Sequence, residues 1–378
     1  MARAAQFLPL LPIAGTVAGV SQLPAIVVFA LNLGALAVLM NWILRCIHVV
    51  SVHSGRLTHE LLKGTLGNGV ELMIGVSSII QGVPSISRSI ILGSILCNLL
   101  LVLGSALFFA GYDKNRLRFD RTLTTTLSSL MMVVFIMLAI PTAMEALSSR
   151  KDVTDEDTMM TLHITAITLI ALLCTFLFFR LRTHADMFAG TPFHDGSERR
   201  TSHGTLSPQA LPPLTGRSRT AFILLAASSG TLTCAFLLVR SISGAAKTLG
   251  TNSSFPVLTL VPLIGNISKY RATVEGSRYN DQIERGIRAV INTILRLTML
   301  VAPVLVLFGW IFSQPLVLKF DEFETTTLLL SIVVMTYLIA DGRSNYFEGL
   351  MLIGTYLIMS FSFYVRPETS SKVDWVGP

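Results

Sequence analysis

The feature that most limits this chain is a succession of apolar runs, each close to the length that crosses a bilayer, separated by polar stretches. They fall at about 23–44, 61–82, 90–110, 122–142, 159–179, 220–239, 255–266, 289–312, 325–340 and 349–365. Roughly 20 apolar helical residues span hydrocarbon, so most runs are long enough; the one from Phe255 is short and interrupted by Gly and Pro. Lipid offers the backbone no hydrogen-bond partners, which makes helices the default spanning element. With a short apolar stretch from Phe7 to Val20, the pattern predicts an all-α polytopic transmembrane bundle of ten to eleven segments. At 52% hydrophobic and only 13% charged residues, the composition excludes a series of soluble domains.

Charge then sets orientation. The net charge of +7 invites a nucleic-acid reading, but in a membrane protein Lys and Arg collect in cytoplasmic loops, so no nucleic-acid partner is expected. Segment 111–121 holds Lys114, Arg116, Arg118 and Arg121 against Asp113 and Asp120, whereas 143–158 holds five acids against Arg150 and Lys151. The first is expected in the cytoplasm and the second on the opposite side. The basic stretch 180–219, with Pro208, Pro212 and Pro213, returns to the cytoplasm and reads as a linker. The expected organisation is therefore an N-terminal membrane segment at 1–22, a first transmembrane repeat at 23–182, a cytoplasmic linker at 183–218, a second repeat at 219–366 and a polar tail at 367–378. The cysteines Cys46, Cys97, Cys174 and Cys234 lie in or beside apolar runs and read as small fillers.

Two halves of similar length invite a search for repeats. Gly67-Asn68-Gly69-Val70-Glu71 in the first half is echoed by Gly265-Asn266-Ile267-Ser268-Lys269 in the second. Each is followed some 25 residues on by a small or polar patch: Gly93-Ser94 through Asn98, and Asn292-Thr293 through Arg296. Segment counting places the two copies on helices that run in opposite directions. Inverted repeats with Gly-interrupted helices are an architecture of secondary transporters.

These motifs, with Leu92 through Gly104, Val301 through Leu307, Phe323-Glu324-Thr325 and Asp341 through Gly349, resemble the vacuolar cation/proton exchanger family of the calcium:cation antiporter superfamily. The resemblance spans about residues 23 to 366. It implies a calcium (or other divalent cation) for proton antiporter of a vacuolar or other endomembrane, with no cofactor beyond the transported calcium and protons. Its partners would be the lipid bilayer, the divalent cation and protons; the oligomeric state is not set by the sequence. The metal positions carried over are Glu71, Asn68, Gly67, Ser94, Asn98, Gly265 and Asn266. The residue chemistry fits: calcium takes oxygen ligands, and a carboxylate inside a membrane run needs a partner or a function. No Gly-x-Ser-x-Gly motif supports a hydrolase, so the chain reads as transporter-like and not as an enzyme.

The second repeat departs from the family pattern. Lys269 stands where the second carboxylate is expected, and Arg296 ends the patch Asn292-Thr293-Ile294-Leu295. Phe236 and Arg240 replace acids upstream, and Lys63 replaces an asparagine. Two unit charges about 4 Å apart interact by roughly 4 kcal/mol at an effective dielectric of 20, and a divalent ion doubles that opposition. Two readings therefore stay open on the residues alone. One is the antiporter, with Glu71 as the exchange carboxylate. The other is a non-transporting homologue, regulatory or structural, whose site is plugged by a Lys269–Glu71 ion pair and whose Arg296 needs a partner or an anion.

Overall fold

The computed structural model describes residues 10–21, 23–112, 116–148, 155–184, 217–279, 283–312, 314, 316 and 320–365. Almost all of the expected linker and the expected tail lie outside the described residues.

The chain opens with the short helix α1 (Leu11–Val20) and the long α2 (Ala25–Thr65). Expectation placed a polar break after residue 44, yet α2 continues for 41 residues. The stretch 45–60 contains no proline and a single glycine, so polarity there changes the solvent of the helix without stopping it. A 3-10 turn (Leu66–Asn68) leads into α3 (Gly69–Ile80), and the tight Gln81–Val83 turn leads into α4 (Pro84–Gly111). Gly82 takes φ +71 in that turn, a left-handed conformation that favours glycine. Helices α5 (Arg121–Ser148) and α6 (Asp155–Phe178, extended by a π-helical turn to Thr183) complete the first half.

The second half repeats the order with α7 (Arg217–Leu249), α8 (Pro256–Gly265), α9 (Ile267–Tyr279), α10 (Ile283–Ile311), α11 (Glu322–Ala340) and α12 (Tyr346–Val365). Corresponding helices share their irregularities: α4 carries a π-helical turn at Cys97–Val102 and α10 one at Leu297–Val301. Eight of the described helices are long and apolar enough to cross a membrane, while the runs that hold the two Gly-Asn motifs are broken into short pieces. Large apolar side chains such as Phe222, Tyr337 and Ile358 are exposed on the outside, as lipid-facing positions require.

The direction of each helix follows from one small feature that the all-helical expectation did not include. Strands β1 (Leu117–Arg118) and β2 (Arg343–Ser344) pair antiparallel, which brings the α4–α5 and α11–α12 connections to one end of the bundle. Asp120 N–H donates to Glu284 at 3.4 Å, so α10 begins at that same end. Helix α9, ending just before α10, therefore runs toward this end. Helix α4 finishes there, so α3, which precedes α4, runs away from it. The two Gly-Asn helices are antiparallel, in agreement with segment counting.

Two apolar cores flank them. One joins α2 and α7 to Val70, Ile74, Val257 and Val261; the other joins α4, α5, α6, α10, α11 and α12 to Ile79 and Leu258. Helices α3 and α8 contribute to both, which fixes the broken segments between the two bodies of the bundle.

Candidate functional site

Each Gly-Asn pair ends one helical piece and begins another. Asn68 has φ −111 and ψ 33, and Asn266 has φ −101 and ψ 11; neither is helical, so the ladder is interrupted at both. Each interruption exposes the first backbone N–H groups of the helix that follows, α3 or α9, in the interior of the protein. Glu71 lies in the first turn of α3 and Lys269 at the matching place in α9. Side chains on a helix lean toward its N-terminus, so both residues lean into the break. For a carboxylate this is favourable, because a helix N-terminus carries partial positive charge; for an ammonium it is not.

The two breaks meet through reciprocal contacts. Asn266 Nδ2 donates to Glu71 Oε1 at 2.7 Å, and Lys269 Nζ donates to Asn68 Oδ1 at 3.0 Å. Asn68 Nδ2 in turn donates to the Gly64 carbonyl at 3.2 Å. Glu71 is 0% exposed, Asn68 2% and Asn266 4%, so water does not compensate missing bonds here. Nonetheless Glu71 Oε2, Asn266 Oδ1 and Ser94 Oγ have no hydrogen-bond partner in the protein. Buried oxygens normally find partners, and Glu71 Oε2 and Asn266 Oδ1, on side chains hydrogen-bonded to each other, are left as open oxygen donors at the break. Gly67, Gly69 and Gly265 are also buried, and a Cβ built on Gly69 would meet no heavy atom within 4 Å. The break therefore has space beside it.

Of the two small patches, the one on α4 packs beside the break. A Cβ on Gly93 would stand 2.3 Å from the Leu258 carbonyl oxygen, so only glycine lets α4 approach α8 this closely. Ser94 is 0% exposed and Asn98 is 6% exposed, with Asn98 Nδ2 donating to the Ser94 carbonyl at 2.7 Å. The Cys97 thiol lies near enough to Glu71 for the two to interact electrostatically. On α10, Asn292 is buried, while Thr293 turns its hydroxyl back to the Ala289 carbonyl at 2.8 Å.

Several positions read as changes to the ion site do something else. Lys269 reaches the break as expected, but its hydrogen bond goes to Asn68 and not to Glu71. Arg296 turns away: its guanidinium binds Glu60 at 2.5 Å, and Arg180 binds the same carboxylate at 3.2 Å. The N-terminal lean of α10 explains this, since that helix starts at the end bearing β1 and β2 and Arg296 reaches back toward it. Lys63 is exposed on α2, electrostatically coupled to His59 and Glu60. Phe236 and Arg240 lie on the exposed face of α7, and Phe236 contributes its carbonyl to Gln81 at 3.1 Å. Glu60 is the functional-looking residue that sequence reasoning passed over; its one signal was an acid beside a run rich in His and basic residues.

Among the described residues, no group of three or more His, Cys, Asp or Glu side chains converges, and the charged groups at the break are Glu71 and Lys269. Residues 24–187 and 220–365 match the family model described as sodium/calcium exchanger protein. The chain is 29% identical over 357 residues to the vacuolar calcium ion transporter of Schizosaccharomyces pombe, covering 94% of this chain and 83% of that one. It is 30% identical over 319 residues to the Ca(2+)/H(+) antiporter of Aphanothece halophytica, covering 84% of each. Among solved structures, native YfkE superposes with a TM-score of 0.76 at 23% identity, covering 95% of this chain and 100% of that one. The H+/Ca2+ exchanger CAX gives 0.66 at 12% identity, covering 94% and 90%.

Proposed function

The chain belongs to the sodium/calcium exchanger protein family, and from that premise we propose that it is a secondary active antiporter exchanging a divalent cation, calcium first, for protons across a vacuolar or other endomembrane. The observation that carries this reading is Glu71: a fully buried carboxylate between two antiparallel helix breaks, with one oxygen held by Asn266 and the other unpartnered. Glu71 Oε2, Asn266 Oδ1 and Ser94 Oγ supply the cation's oxygens, with the backbone at Gly67 and Gly265 and the Asn98 side chain completing the shell, while the Asn68 oxygen is taken by Lys269. When the cation leaves, a proton on Glu71 removes the cost of a bare buried carboxylate, which couples the two ions through one group. Access alternates because the two repeats run in opposite senses around the breaks.

The plugged-site alternative rested on a Lys269–Glu71 pair and on a stranded Arg296. Lys269 hydrogen-bonds Asn68 while still lying within electrostatic reach of Glu71, whose Oε2 it leaves unpartnered, and Arg296 binds Glu60 and so is not stranded.

Vesicles containing the purified protein, with a proton gradient imposed, should take up radioactive calcium, and Glu71→Gln should reduce uptake to background while eluting as the same species on size exclusion. Absence of uptake by the unmodified protein, or full uptake by Glu71→Gln, would overturn the proposal.

A further inference from the structure

The two halves of the break are built alike but filled differently. In the half around Glu71, the Asn266 amide gives its Nδ2 to the carboxylate, and its Oδ1 is unpartnered. In the half around position 269, the Asn68 amide is turned the other way: its Nδ2 goes to the Gly64 carbonyl, and its Oδ1 accepts from the Lys269 ammonium. The oxygen that one half leaves open for a cation is thus already in contact with a cation in the other. Lys269 is held there by covalent attachment to α9, in the first helical turn, where a positive charge gains nothing from the helix dipole.

We propose that Lys269 is a specificity-determining residue of the transport site: a tethered ammonium that fills the second half-site, leaves a single half-site around Glu71, and sets a low affinity for divalent cations. The proposal rests on reading the break as a cation site. Its chemistry is a matter of charge. A cation bound at Glu71 feels attraction from one carboxylate and repulsion from one ammonium, and both scale with its own charge, so the advantage of a divalent ion over a monovalent one is largely cancelled.

The test is calcium binding by the purified protein, measured by titration calorimetry, alongside the half-saturation concentration of vesicle uptake. Lys269→Gln should tighten binding and lower half-saturation by at least about tenfold, with little change in maximal rate. Lys269→Arg, which keeps the charge, should behave as the unmodified protein. Asn68→Asp, which places a neutralising carboxylate on the ammonium without removing it, should also tighten binding and keeps the question open to decision if Lys269→Gln fails to fold. Unchanged or weaker binding in Lys269→Gln, or in Asn68→Asp where Lys269→Gln does not fold, would overturn the proposal, because a merely structural lysine would cost stability and gain no affinity. If the unmodified protein takes up no calcium while Lys269→Gln binds it more tightly, the transport reading fails and the role of Lys269 stands. Calcium binding by none of the proteins would sink both.

Discussion

Glu60 accepts from two guanidinium groups, Arg296 at 2.5 Å and Arg180 at 3.2 Å, and is only 9% exposed. Burial alone would raise its carboxyl, but Arg296 and Arg180 outweigh burial and hold it below the ordinary value. A carboxyl lowered in the folded state contributes stability above its unfolded pKa of about 4.3, and that contribution is lost as pH falls through the lower folded value. Removing the charge leaves two partly buried guanidinium groups without their shared partner, at a cost of about 3 kcal/mol. Glu60→Gln should therefore lower the melting temperature in detergent at pH 7, and the gap from the unmodified protein should shrink below about pH 4. A gap independent of pH would show that packing, not charge, accounts for the loss. The pairing was not legible in the sequence: Glu60 and Arg296 lie 236 positions apart and neither belongs to a motif that names the other. Reading Arg296 from its motif position put it in the ion site, because the motif gives a residue's place along α10 but not the reach of a long side chain. Lys269 was legible in place but not in partner, since the turn of the Asn68 amide decides which group it meets.

At the level of elements, the inverted repeat was readable from two five-residue motifs, because Gly-Asn is a local signal for a helix break and needs no tertiary context. The continuity of α2 was not readable, since polar residues shorten an apolar run without ending a helix. The role of Gly93 also emerges only when the second half is present. Its α-carbon faces the Leu258 backbone, which cannot swing aside as a side chain would. Gly93→Val must therefore push α4 away from α8, an overpacking cost of about 1–3 kcal/mol. The same shift moves Ser94 and Asn98 relative to Glu71. Calcium uptake in Gly93→Val should fall by more than its melting temperature implies, and a variant that melts lower yet transports normally would show that the α4–α8 approach does not set the site.

For the whole molecule, the two flanking cores and the direction of every helix depend on which connections share an end. The β1–β2 pair joins the loop before α5 to the loop before α12, and α6 ends where the chain enters the linker. Helix alternation puts His184 at that same end and Ser254, between α7 and α8, at the opposite one. Arg343, Arg118, Arg121 and Arg182 gather at the first end, which makes it cytoplasmic by the excess of basic residues. Arg343, His184 and Ser254 are all exposed, so each can report its side if replaced by cysteine after Cys46, Cys97, Cys174 and Cys234 are removed. In sealed vesicles of one orientation, a membrane-impermeant thiol reagent should label Arg343→Cys and His184→Cys from the same side, and Ser254→Cys from the other. If Ser254→Cys reacts together with Arg343→Cys, then α8 and α9 do not together cross the membrane. The two Asn side chains would then no longer hold equivalent places in oppositely directed repeats, and the assignment of Lys269 to the second half-site would fall with it.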